Sequence, residues 1–170
     1  MVMTLALATL ARICAVLAGI LLVTITGLTV ASVAGRSLIG LAINGDFELA
    51  AFAAGAAVAL FMPWCQVRRG NIIVDFFTVK ASIRARDRMD RFGAAMLALV
   101  MGFMAWRSAL GGLNAWHTGS GSMMLGFPEW MVYACMVPAL SLTALIALDQ
   151  AIRGFHAYET MRARGSMQVH

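Results

Sequence analysis

Four apolar stretches, each bounded by charges, cover most of the chain. They are residues 13–35 between Arg12 and Arg36, 49–67 between Glu48 and Arg68, 92–106 between Arg91 and Arg107, and 130–148 between Glu129 and Asp149. The third stays apolar to about Trp116 if Arg107 is counted within it. A bilayer core of ~30 Å takes ~20 residues of helix, a conformation that satisfies its own backbone polar groups. The pattern therefore predicts four transmembrane helices, at about 13–35, 48–67, 92–113 and 129–152, in one all-α integral membrane domain over residues 1–170. The first stretch is longer than the ~7–15-residue apolar region of a signal peptide and is read as a retained helix.

The connections carry their own patterns. Between the second and third stretches, Ile72, Phe76, Val79 and Ile83 recur on one helical face, widened by Ile73 and Phe77. With Arg68, Arg69, Lys80, Arg84, Arg86, Arg88 and Arg91 around it, the 71–91 connector reads as a basic amphipathic segment lying along the membrane surface. Asn44 or Asp46 is placed to cap the second helix, and Glu48 falls in its first turn, where the dipole favours an acid. That helix is dense in alanine from Ala50 to Ala57, a packing surface in lipid, and Pro63 and Trp64 mark its far end. Gly119 to Ser122 reads as a flexible turn. Trp106, Trp116, Phe127 and Trp130 around it read as an aromatic belt. Pro128 suits the first turn of the last helix, and Pro138 is expected to kink it.

Composition agrees with the pattern: 61% hydrophobic, 12% charged and a mean hydropathy of +0.83. The net charge of +5 would suggest nucleic acid in a soluble protein, but here it follows the positive-inside rule. The basic residues concentrate in the middle connection and in the 154–170 tail, which holds Arg162 and Arg164. That asymmetry places both termini and the middle connection in the cytoplasm and leaves no nucleic-acid partner. Cys14, Cys65 and Cys135 fall in three different stretches and read as small hydrophobes, with no disulfide or metal site.

Small four-helix membrane proteins with a reaction of their own need recognisable groups. A proton-coupled exporter needs a carboxylate within a span. The first three stretches hold none, and Asp149 stands at the end of the fourth. A thiol oxidase needs paired cysteines, and a membrane cytochrome needs histidines within spans. His117, His156 and His170 all lie outside the four stretches. No catalytic constellation, cofactor site or metal-ligand cluster emerges, so the chain reads as a non-enzyme. Asp149 is expected to pair with Arg153 one turn on. Arg107 reads as an arginine near a helix end, snorkelling to the interface or meeting a carboxylate on another helix.

Three local stretches carry a resemblance: Gly45-Asp46-Phe47-Glu48-Leu49, Arg69-Gly70-Asn71-Ile72-Ile73-Val74-Asp75, and Gly126-Phe127-Pro128-Glu129-Trp130 continuing through Tyr133 to Pro138. In this order and spacing they resemble the small membrane subunit (DctQ-like small permease) of tripartite ATP-independent periplasmic (TRAP) transporters. The second is similar to the family's Arg-Gly-His-Ile-x-Val-Asp run, with Asn71 in place of the histidine. The resemblance implies a bacterial inner-membrane scaffold for a large membrane (permease) subunit. That partner would take up an organic anion, usually a carboxylate, on an ion gradient, after a periplasmic substrate-binding protein delivers it. It also implies partner contacts, with Arg69 and Asp75 towards the large subunit and Glu48 and Glu129 towards the binding protein. Membrane lipids would meet the basic segment. The competing expectation is a self-sufficient homodimeric proton-coupled exporter with Asp149 as its proton carrier.

Overall fold

The computed structural model describes residues 2–40, 45–68 and 83–154, with side chains omitted at Val2, Ile39 and 83–87. They form four helices: α1 over Val2–Ile39, α2 over Asp46–Val67, α3 over Ile83–Thr118 and α4 over Trp130–Arg153. All four are long and apolar enough to cross a membrane. The fold is the all-α membrane architecture that the apolar stretches announce. The 71–91 connector falls largely outside the described residues.

Helices α1 and α3 run well past the stretches that predict them, to 38 and 36 residues. A helix of 38 residues is roughly 57 Å long, more than a bilayer core. Charge does not end a helix, because its backbone bonds are indifferent to side-chain polarity. Arg12 sits inside α1, and Asp90 and Arg91 sit inside α3. Threonines in α1 are also accommodated: Thr9, Thr24, Thr26 and Thr29 donate to carbonyls one turn back at 2.8–2.9 Å. Their hydroxyls can therefore face lipid without an unmet hydrogen bond.

The helices pack in the order α1, α2, α4, α3, with α4 against both α2 and α3 and only a slight contact between α1 and α4. The α1 seam is narrow. Its buried and half-buried positions repeat every seven residues from Thr4 through Ala11, Ala18 and Ile25 to Ser32, with Leu7, Cys14, Leu21 and Leu28 between them and Ala8, Ala15 and Gly19 widening the near half. That 3.5-residue period belongs to two helices wound as a left-handed coil. In lipid there is no hydrophobic drive between helices, so small residues that permit close approach carry the association. Ala56, Ala57 and Ala59 of α2 and Ala139 and Ala147 of α4 are buried accordingly. Gly112 of α3 lies so close to α4 that a Cβ there would stand 2.8 Å from the Cβ of Tyr133.

Several local expectations are revised. Helix α2 is capped by Gly45 in the left-handed conformation (φ 79), without a side-chain cap. It continues through Pro63 for another turn to Val67. Pro128 lies just before α4, whose N-cap is Glu129. Residues 119–129 form a tied turn: Ser122 and Phe127 are joined by backbone and side-chain bonds, and Gly121 bridges to Pro128. Trp116 and Trp130 meet edge to face at 4.7 Å. Trp106, about 15 Å further along α3, stands apart from that belt.

Candidate functional site

Two groups of polar side chains stand at the two ends of the helices, and most of their bonds tie elements together. At the end where α1 meets α2, the Gly45-Asp46-Phe47-Glu48-Leu49 stretch works as a staple. The Ser32 hydroxyl of α1 donates to the Asp46 carboxylate, which also accepts the Phe47 N–H at 2.7 Å and stands 3.8 Å from Arg36. Glu48 turns the other way, towards the α3–α4 turn. Its carboxylate accepts the backbone N–H of Met124 at 3.1 Å and of Leu125 at 3.3 Å. Gly45 permits this close approach, since a Cβ there would overlap the Leu125 side chain. The staple leaves Met123 fully exposed at the tip of the turn, beside the exposed Met124 and Phe47.

The Phe127-to-Pro138 stretch has a packing reason for its residue types. Phe127 stacks tilted on Phe52 of α2 at 6.0 Å. Trp130 meets Trp116, and Tyr133 lies over Gly111 and Gly112, so one motif seats α4 against both neighbours. Glu129 is half-buried, and its N–H donates to the Ser120 carbonyl at 3.2 Å.

At the opposite end, buried polar groups join α2, α4 and α3. The Gln66 amide donates to Gln150 Oε1 at 2.7 Å, and the Gln150 amide donates back to the Gln66 carbonyl at 3.2 Å. Both glutamines are buried, as are Thr4 and Asp149. Asp149 pairs with Arg153 at 2.8 Å, the pairing expected from their spacing. Arg91 of α3 lays its guanidinium against Gly154, where a Cβ would come within 2.9 Å of it. Gln66 and Gln150 escaped the reading of the sequence. Their signal was two uncharged amides at the same end of two packed spans.

Of the basic segment, Arg68 closes α2 with its guanidinium 5.0 Å over the Trp64 ring, Arg88 is exposed and Arg91 is half-buried. Arg69, Asp75 and Lys80 lie outside the described residues, as do the side chains of Arg84 and Arg86. Cys14, Cys65 and Cys135 stand on three different helices and form no disulfide with one another.

A row of four helices, each long and apolar enough to span a membrane, defines a multi-pass membrane protein. Over residues 25–157 the chain matches the family described as tripartite ATP-independent periplasmic transporters, DctQ component, and it belongs to that family. It is thus a small permease component of a TRAP transporter, in a family of transporter components rather than enzymes. Four spans and this membership make it a multi-pass protein of the bacterial inner membrane. Searches of curated proteins and of solved structures returned no match.

Proposed function

We propose that this chain scaffolds a large membrane subunit, which moves an organic anion inward on an ion gradient after a periplasmic binding protein delivers it. The observation that carries the reading is that amides and carboxylates near the helix ends bond within the chain. Gln66 is bonded to Gln150, Asp149 to Arg153, and Asp46 to Ser32, each inside the chain. Family membership supplies the tripartite context. Substrate choice and ion coupling then belong to the partners, with a carboxylate as the expected cargo.

Both termini and the α2–α3 connection face the cytoplasm in this reading, because Arg68, Arg69 and Lys80 lie on that connection and Arg84, Arg86, Arg88 and Arg91 at the adjoining end of α3. The 71–91 segment lies on anionic headgroups, and Arg69 and Asp75 fix it to the large subunit. Glu129 faces the periplasm at the mouth where the binding protein arrives. Glu48 acts there through the turn it holds, whose tip presents Met123.

Reconstitution tests the proposal. Liposomes holding this chain alone should take up no organic anion, and those holding it with the large subunit and binding protein should. Asp149→Asn should leave uptake by the full system near the parent level, since the carboxylate serves its pair with Arg153. Anion or drug transport by the chain alone, abolished by Asp149→Asn, would establish the exporter instead.

A further inference from the structure

Arg107 is the charge that the fold leaves unexplained. Helix α3 continues eleven residues beyond it to Thr118, so it is not at a helix end. The antiparallel register with α4 fixes its depth. Tyr133 lies over Gly111 and Gly112, Leu140 and Ala144 pack with Ala105 and Met101, and Gly154 meets Arg91. Arg107 is therefore level with Pro138, about 12 Å from Trp130 and about 16 Å from Asp149 along the axis. Those two residues bound the apolar part of α4, so Arg107 sits near mid-bilayer, beyond the reach of an ordinary snorkelling arginine.

Its direction is equally informative. Ala94, Met101, Ala105 and Ala115 are the buried side of α3. Arg107 is exposed on the opposite side, in a row with Met96, Val100, Phe103, Leu110 and Asn114 at steps of three and four. Among the described residues the acids Asp46, Glu48, Asp87, Asp90, Glu129 and Asp149 stand towards helix ends, far from this level. A guanidinium at that depth requires an anionic or strongly polar partner, and arginine on an apolar face marks where a second membrane protein supplies one.

We propose that this back face of α3 docks the large membrane subunit, with Arg107 receiving a carboxylate carried at mid-bilayer depth by one of that partner's helices. The proposal rests on the subunit reading above and adds to it the face and the charge. The apolar residues on either side exclude water and lipid headgroups from the pair. Asn114, two turns above Arg107, adds a second polar contact near the outer rim of the interface.

The test uses the complete complex in its membrane. Benzoylphenylalanine at Phe103 or Leu110 should cross-link to a large polytopic partner on illumination. The same probe at Val16 and Val23 on the exposed face of α1 gives the comparison. Arg107→Glu should lower co-purification of the partner at least tenfold, and Arg107→Lys should retain more of it than Arg107→Leu. Melting of each variant alone in mild detergent identifies a chain that fails to fold, and the cross-links and the lysine variant still decide the matter. Partner cross-links from α1 with none from α3 overturn the assigned face and keep the subunit reading. Cross-links from α3 with full co-purification of a folded Arg107→Glu variant overturn the ion pair. Lipid adducts at Phe103 together with that result assign Arg107 to lipid phosphate. Capture of no large membrane protein by the affinity tag or any probe overturns the subunit reading itself.

Discussion

Replacing Gln150 with leucine should show how much of this fold rests on polar bonds between spans. Gln150 is fully buried and makes two interhelical bonds with Gln66, at 2.7 and 3.2 Å. Side-chain bonds between membrane helices average about 0.6 kcal/mol each, so losing both removes about 1.2 kcal/mol. The buried Gln66 amide loses its bond to Gln150 where water does not reach, which costs up to about 1–3 kcal/mol for a buried polar group. Relaxation recovers part of that, and we expect a net loss of about 2 kcal/mol, or about 30-fold in the folding equilibrium. Gln66→Leu should cost less, about 1 kcal/mol, because the Gln150 amide keeps its bond to the Gln66 backbone carbonyl. The double substitution replaces both amides with apolar groups of similar size, so it should cost clearly less than the sum, with a coupling of about 1 kcal/mol. Reversible unfolding in mixed micelles, followed by circular dichroism, measures all three. Single substitutions within about 0.3 kcal/mol of the parent, or a strictly additive double, would refute the reasoning.

Two further substitutions probe the packing and the staple. Gly112→Ala should destabilise the chain by about 1–3 kcal/mol, because the new methyl meets the Tyr133 Cβ and the helices must separate. Unchanged melting in detergent would show that α3 and α4 do not approach this closely. Glu48→Ala should release the α3–α4 turn, so hydrogen exchange at the Met124 and Leu125 amides should quicken while that of α2 stays slow. Equal protection in both proteins would remove Glu48 from that role.

The number and type of elements were legible because a bilayer demands long apolar helices, and 13–35 or 130–148 satisfy little else. The alanine cluster from Ala50 to Ala57 likewise announced α2 as a packing helix, and its Ala56 and Ala57 are buried while Ala51 and Ala54 are exposed. Helix order was not legible. Along α1 nearly every residue is apolar, so the heptad seam from Thr4 to Gly35 is invisible against its lipid-facing neighbours. The Glu48 staple joins residues more than seventy positions apart, and no local pattern reports such a contact. The sequence left Arg107 open between the interface and a carboxylate on another helix, because the apolar stretch alone does not give its register against α4. The Asp149–Arg153 pair, by contrast, was readable because helical spacing alone brings the two together.

The most direct test of the scaffold account is a mild-detergent pull-down of the tagged chain from its native membranes, with partners identified by mass spectrometry. The account predicts a large polytopic membrane protein in stoichiometric amount. Recovery of this chain alone, as a stable homo-oligomer, would contradict it.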